Sequence, residues 1–299
     1  MDGLLPIDKP AGMTSFDVIY RVREATGEQK VGHMGTLDKA ATGLLLVMIG
    51  RSTKLKQYFG QKVSDYRFTM EFGEQTDTLD VNGEVVRRCD WEGVDAEAIG
   101  GVLPEFTGEI EQRPPQYSAV KIEGKRASDW ARREEEEKLP EPREVEVRGL
   151  ELVDWEPPVA RLECELVSGG YVRSLVRDIA ERLGTCATTT SIRRTRTNHL
   201  SVDQALPVDE LNEERAAEYL LDPVEMVREL PSIEITEKEA DSIGYGKRPP
   251  LGEEREAAVG EAEWFTCLNA EGELVAVAKP RELDGVTCIQ PRRVMKPHH

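Results

Sequence analysis

Helical and strand periodicities alternate along this 299-residue chain, and that interleaving predicts an α/β fold of the α+β kind. Three observations carry the expectation. Val18, Ile19, Val22 and Ala25 recur at helical spacing. Tyr66, Phe68, Met70 and Phe72 alternate with Arg67, Thr69 and Glu71, the period of a half-buried strand. Leu162, Cys164 and Leu166 repeat that alternation before a second helical face begins.

Taken in order, the first helix runs from Thr14 to Gly27: Thr14-x-x-Asp17 is a capping-box start and Gly27 a stop. The apolar run Leu44 to Ile49, closed by Gly50, is either a buried strand or the first turns of a buried helix, because periodicity does not separate the two. After the strand at Tyr66 to Phe72, Asn82-Gly83 marks a tight hairpin-type turn. Residues 114–158 change character, with Pro114-Pro115, Glu134 to Glu137, Pro140, Pro142 and Pro157-Pro158, and part of this segment reads as an insertion projecting from the main fold. Gly169-Gly170 ends the strand around Cys164. Val172, Leu175, Val176, Ile179 and Leu183 then form one face of a helix that Gly184 stops. A smaller unit begins near Leu230-Pro231, with a helical stretch at Glu237 to Ile243. Strands follow at Trp264 to Leu268 and Leu274 to Ala278, joined through Asn269-Ala270-Glu271-Gly272, and the unit reads as a compact all-β module.

The net charge of −18 argues at first against a nucleic-acid partner, since phosphates call for a basic footprint. The charge is segregated, however. Residues 1–62 hold 9 Lys/Arg against 6 Asp/Glu, and residues 112–133 and 171–196 each hold 6 against 2. These windows carry +11 over 110 residues and leave −29 on the other 189, an acidic, solvated remainder. No apolar run is long enough to cross a membrane, and the start, Met1-Asp2-Gly3-Leu4-Leu5-Pro6, lacks the basic and apolar regions of a signal peptide. Five cysteines, an odd count without a C-x-x-C pair, fit a reduced cytoplasm. The few histidines and cysteines have no ligand spacing, so a metal site is not expected, and Gly27 to Gly32 lacks the Gly-Lys-Ser/Thr of a phosphate loop.

The most informative stretch is Lys30-Val31-Gly32-His33-Met34-Gly35-Thr36-Leu37-Asp38, a glycine-flanked loop that exposes an imidazole and a carboxylate between a helix and an apolar run. By itself Asp38 reads better as an Asx-turn residue that bonds its own backbone. The loop is preceded by Asp8-Lys9-Pro10-Ala11-Gly12-Met13-Thr14-Ser15 and followed by Ala41-Thr42-Gly43-Leu44-Leu45-Leu46-Val47. Further on stand Arg113-Pro114-Pro115-Gln116-Tyr117-Ser118-Ala119-Val120-Lys121, Gly124-Lys125-Arg126 and Gly169-Gly170-Tyr171-Val172-Arg173. In this order the motifs resemble the TruB family of pseudouridine synthases, in its bacterial, stand-alone branch. The resemblance is close over the first 200 residues and looser over the last 70.

The resemblance implies a catalytic domain at 1–229 with a mixed, mostly antiparallel central sheet and an RNA-gripping insertion at about 114–158, then a PUA-like RNA-binding domain at 230–296. It implies isomerisation of uridine 55 in the TΨC loop of tRNA, on a uridine flipped out of the stack. The implied partner is the T arm of tRNA, bound by a monomer in the cytoplasm without a guide RNA, a membrane, a metal or any cofactor. Asp38 matches the catalytic aspartate; a carboxylate can attack an electrophilic carbon or take a proton. Arg173 matches the arginine paired with it, which keeps a carboxylate charged when a bound base excludes water. Tyr66 matches the residue that stacks on the uracil, Tyr171 and Ile192 match pocket-lining positions, and His33 matches the residue that holds the target nucleotide out of its stack. Lys9 and Pro10 match a motif that shapes the floor of the site. Without the resemblance, Arg173 with Arg177 reads as a solvated helix face, and Tyr66 and Ile192 read as core.

Two departures stand out. The family usually has proline after the aspartate where this chain has Lys39-Ala40, and threonine where it has Gly170. Rival readings are a sister synthase for another RNA and an RNA-binding or RNA-folding protein with vestigial catalysis, which only Lys39 favours.

Overall fold

The computed structural model describes residues 1–118 and 140–295, together with the backbone of two short paired strands, β8 (Lys121–Ile122) and β9 (Lys125–Arg126). One sheet organises the larger, N-terminal part of the chain. Its strands are β1 (Gly3–Lys9), β2 (Val31–Met34), β3 (Thr42–Ile49), β4 (Val63–Phe72), β7 (Gly108–Gln112), β10 (Arg143–Glu156), β11 (Val159–Val167), β12 (Ala187–Thr197), β13 (Leu200–Ser201) and β14 (Leu206–Pro207). They are ordered β14-β1-β3-β12-β4-β11-β10-β7, with β2 on β3 and β13 on β12. Only the β1–β14 and β12–β3 pairs are parallel, so the sheet is mixed and mostly antiparallel, as expected. A separate hairpin, β5 (Glu74–Thr76) with β6 (Val85–Arg88), stands beside it.

The run left open by periodicity is a strand. β3 is buried on both faces, which is why it reads as continuous rather than alternating. Leu45, Val47 and Ile49 enter one core with helix α1 (Ser15–Thr26) and the later helix α3 (Val172–Arg182), whereas Leu44, Leu46 and Met48 enter a second core on the opposite face. Helix α1 has the anticipated ends: Thr14 and Asp17 form the capping box, and Gly27 at φ 68° closes it, a left-handed conformation that glycine adopts without penalty. A short helix α2 (Ala96–Val102) and α4 (Glu213–Glu218) complete this part.

Two expectations change. The segment Arg143–Glu156, included in the expected insertion, is the longest strand of the main sheet and pairs with both β7 and β11. Its Val145, Val147 and Leu150 are buried, so the prolines around it bound a strand rather than a projecting arm. The core of the expected insertion, with most of the basic window 112–133, lies outside the described residues. The hairpin marked by Asn82-Gly83 exists, but its loop spans residues 77–84, built by Thr76, Thr78 and Asn82 donating to Asp80.

The C-terminal part is a four-stranded sheet ordered β15 (Ser232–Glu234), β16 (Phe265–Leu268), β17 (Leu274–Leu283) and β18 (Val286–Val294). It carries two helices, the anticipated α5 (Glu237–Gly244) and an unanticipated α6 (Glu253–Val259). Leu274, Val277 and Met295 join Leu44, Leu46 and Met48 in the second core, and Trp264 packs edge-on to Tyr58 with ring centroids 5.1 Å apart. Cys89 and Cys186 form a disulfide, a pairing that the cysteine count did not suggest, while Cys164, Cys267 and Cys288 are free and buried. Among the described residues no helix is long and apolar enough to cross a membrane.

Candidate active site

Three backbone segments hold the loop of Asp38. Ser15 Oγ accepts from Leu37 N at 2.9 Å and donates to Leu37 O at 3.0 Å, which ties the loop to the start of α1. Gly12 N donates to Lys39 O at 2.8 Å, and Ala41 N donates to Asp38 O at 3.1 Å. Lys9, fully buried, donates to Pro10 O and Met13 O at 2.9 and 2.7 Å, closing the turn between β1 and α1 around its ammonium. Burial lowers its pKa to about 8, with Asp38 pulling it up and Arg194 pushing it down. The Lys9-Pro10 to Ser15 motif therefore forms the bed of the Asp38 loop.

All six residues expected in the site, His33, Asp38, Tyr66, Tyr171, Arg173 and Ile192, line one cavity of about 620 Å³. That volume lies within the usual range for small-molecule sites, roughly 300–1,000 Å³. Arg173 does not belong to a solvated face. It is 3% exposed, and its Nε lies 2.9 Å from Asp38 Oδ2, at an angle too oblique for a hydrogen bond, so the contact is ionic. Its other nitrogens donate to Thr78 O at 2.7 Å and Tyr117 O at 3.1 Å. Arg177, by contrast, pairs with Asp178 and donates to Arg113 O.

Tyr66 stands half-buried on β4 opposite Arg194 of β12, while Phe68, Met70 and Phe72 of the same face are core. Tyr171 is gripped at its backbone by the buried Gln112, whose Oε1 accepts from Tyr171 N and whose Nε2 donates to Tyr171 O. The Arg143 guanidinium lies over the Tyr171 ring, 5.4 Å from its centroid. Ile192, 9% exposed, is both cavity wall and core. His33 is partly buried, and its Nδ1 has no hydrogen-bond partner. Burial first, then Lys56, lowers its pKa, so at neutral pH the ring is uncharged.

Sequence reasoning missed several residues. Asp80, 6% exposed, brings Oδ2 to 3.7 Å from Arg173 Nη1, so Arg173 lies between two carboxylates. Arg194, 4% exposed, donates to Leu44 O, to Gly35 O and, at 3.5 Å, to the Tyr66 hydroxyl. Lys62 and Arg143 also line the cavity. The net positive charge of windows 1–62 and 171–196 was the available signal for Lys62 and Arg194; nothing marked Asp80 or Gln112, because both depend on long-range approach.

One of the two departures has a local explanation. A Cβ at Gly170 would stand 2.5 Å from Leu166 Cδ1, so threonine does not fit beside this Leu166. Lys39 is exposed, makes no ion pair with Asp38 among the described residues, and exerts its charge on Asp17.

Residues 23–172 match the model of the TruB family pseudouridylate synthase N-terminal domain. The chain belongs to the TruB family. It is accordingly an enzyme, an isomerase of the pseudouridine synthase class. It is 41% identical over 251 residues to tRNA pseudouridine synthase B of Aquifex aeolicus, covering 83% of this chain and 87% of that one. It is also 36% identical over 285 residues to the protein of that name from Geobacter sulfurreducens, covering 93% of each. A chain in a solved Cbf5-Nop10-Gar1 complex superposes with a TM-score of 0.70 at 22% identity, over 99% of this chain and 85% of that chain, a likeness of fold. Among the described residues no group of His, Cys, Asp and Glu is arranged to hold a metal ion.

Proposed function

We propose that this enzyme isomerises uridine 55 in the TΨC loop of tRNA to pseudouridine, with Asp38 as its nucleophile. The observation that carries the reading is the Asp38 carboxylate in a nucleotide-sized cavity, held against a buried arginine that, among the described residues, has no other charge to answer except Asp80. The relatives' names supply the tRNA substrate. With the uridine extruded into the cavity, Tyr66 stacks on the base, Tyr171 and Ile192 form the walls, and His33 occupies the space the nucleotide left. The carboxylate attacks C6 of the base or C1′ of the sugar, the N-glycosidic bond breaks, and the same ribose carbon rejoins C5, whose proton leaves. Arg173 keeps Asp38 charged as the base displaces water.

In this reading residues 1–229 catalyse and residues 230–296 form an accessory RNA-binding module, with the protein acting as a monomer without a guide RNA. The test is incubation of the purified protein with an unmodified tRNA transcript and chemical mapping of pseudouridine. Modification at position 55, and none when that uridine is replaced by cytidine, is expected. No product on bare transcript, or product elsewhere, overturns the assignment.

A further inference from the structure

The cavity has a second charged wall, opposite in character to the Asp38 side. Lys62 lines it, half-buried immediately before β4, and its ammonium makes no hydrogen bond or ion pair among the described residues. Arg194 lines it too, buried, and among the described residues it is bonded only to two carbonyls and the Tyr66 hydroxyl. The two converge. A Cβ placed on Gly35 would lie 3.3 Å from Arg194 Nη1 and 3.5 Å from Lys62 Nζ. Gly35, at φ 77°, leaves that space open three residues before Asp38.

Two like charges drawn out of water toward one point are unfavourable unless an anion joins them. Burial first, then Arg194 and Lys56, lowers the pKa of Lys62, which registers the missing partner. The neutral His33 beside them supplies no counter-charge. In a chain of net charge −18, with acidic side chains plentiful, this wall has none in contact with Lys62 or Arg194 among the described residues.

We propose that Lys62, backed by Arg194, is a phosphate subsite: it receives the RNA backbone phosphate adjacent to the nucleotide held in the cavity. The inference rests on the RNA-modifying reading above. RNA is the ligand of this cavity that brings a fixed negative charge within a nucleotide's length of Asp38. A phosphodiester entering here takes the ammonium as a direct donor and the guanidinium as a fixed positive background.

The experiment measures binding of a synthetic T-arm hairpin RNA against salt for the full-length protein, Lys62→Met and Lys62→Arg, with thermal melting of each. Loss of one phosphate contact should flatten the slope of log affinity against log salt by about 0.7–0.9 in Lys62→Met, so its deficit shrinks about threefold between 50 and 200 mM salt. Lys62→Arg should keep the full slope. Lys62→Met should melt no lower than wild type, because it removes a charge without a partner. A hairpin with a neutral methylphosphonate at the contacted position should bind wild type more weakly and Lys62→Met no more weakly than the unmodified hairpin does. An unchanged slope in Lys62→Met, with or without a lowered melting temperature, overturns the subsite. So does an equal penalty in both proteins from a methylphosphonate at every position flanking the target. Conversion of the uridine is scored separately, and its failure in wild type overturns the substrate assignment without altering the salt slopes.

Discussion

Arg173 and Arg194 are about equally buried, at 3% and 4% exposure, line the same cavity, stand on neighbouring elements and each donate to two carbonyls, yet their charged neighbours differ. Arg173 has a carboxylate on either side, Asp38 at 2.9 Å and Asp80 at 3.7 Å. Arg194 has carbonyl oxygens, one hydroxyl and a neighbouring lysine. A compensated cation holds an anion of the protein in place, and its wall is where Asp38 presents a charged oxygen. An uncompensated cation leaves its field for a ligand. In the proposed reading the site separates the group that reacts from the groups that receive the RNA chain, and Tyr66, touched by Arg194, lies at the border.

The comparison can be broken at each wall. The largest effect is expected from Asp38→Asn, which keeps size and hydrogen bonding but removes the charge. Turnover on tRNA should fall below detection while affinity stays within about tenfold, or about 1.4 kcal/mol. Appreciable pseudouridine from this variant removes Asp38 from the chemistry. At the border, Tyr66→Phe keeps the ring and should bind tRNA normally, yet turn over two to four decades more slowly if its hydroxyl moves or positions a proton. Full activity confines Tyr66 to stacking, and a stable, fully active Tyr66→Ala takes it out of the site.

Stability distinguishes the two arginines next. Arg173→Met strands the buried Asp80 charge and should cost about 3–5 kcal/mol in denaturant titration, much of it recovered by adding Asp80→Asn. Absence of that recovery means the 3.7 Å pair carries no coupling. Arg194→Met strands only carbonyls and should cost about 1–3 kcal/mol, with no carboxylate substitution that restores it. If one does, Arg194 has a counter-ion after all.

Lys9 gives the finest reading, because it senses both walls. Its folded pKa of about 8 lies below the ordinary 10.5. Between those values the unfolded chain holds the proton and the folded one does not. The penalty of burying the ammonium is therefore complete below pH 8 and disappears as pH rises toward 10.5, so this residue's contribution to stability rises with pH across that window. Asp38→Asn should lower the Lys9 pKa further and Arg194→Met should raise it, measured by NMR titration of labelled lysine. Shifts of the same sign in both variants contradict the division of the cavity.

Local rules alone determined much of this protein. The capping box at Thr14 and Asp17, the left-handed stop at Gly27, the alternation along β4 and the amphipathic face of α3 each depend on neighbours within a few residues, so periodicity exposes them. The ordered motifs around Asp38, Tyr171 and Arg173 identified the family and brought together six residues that line one cavity. Tertiary structure decided what local rules leave degenerate. The run at Leu44 to Ile49 became a strand because both faces of β3 are covered, by α1 and α3 on one side and the C-terminal module on the other. Residues 143–156 joined the main sheet because β7 and β11 offered partners on both edges. Asp80 met Arg173 only through the fold of a loop 93 positions away in sequence, and Lys62 met Arg194 across 132. Charge acts through space with no periodicity along the chain, so composition could locate the basic windows but not say which cation would find a partner and which would be left without one.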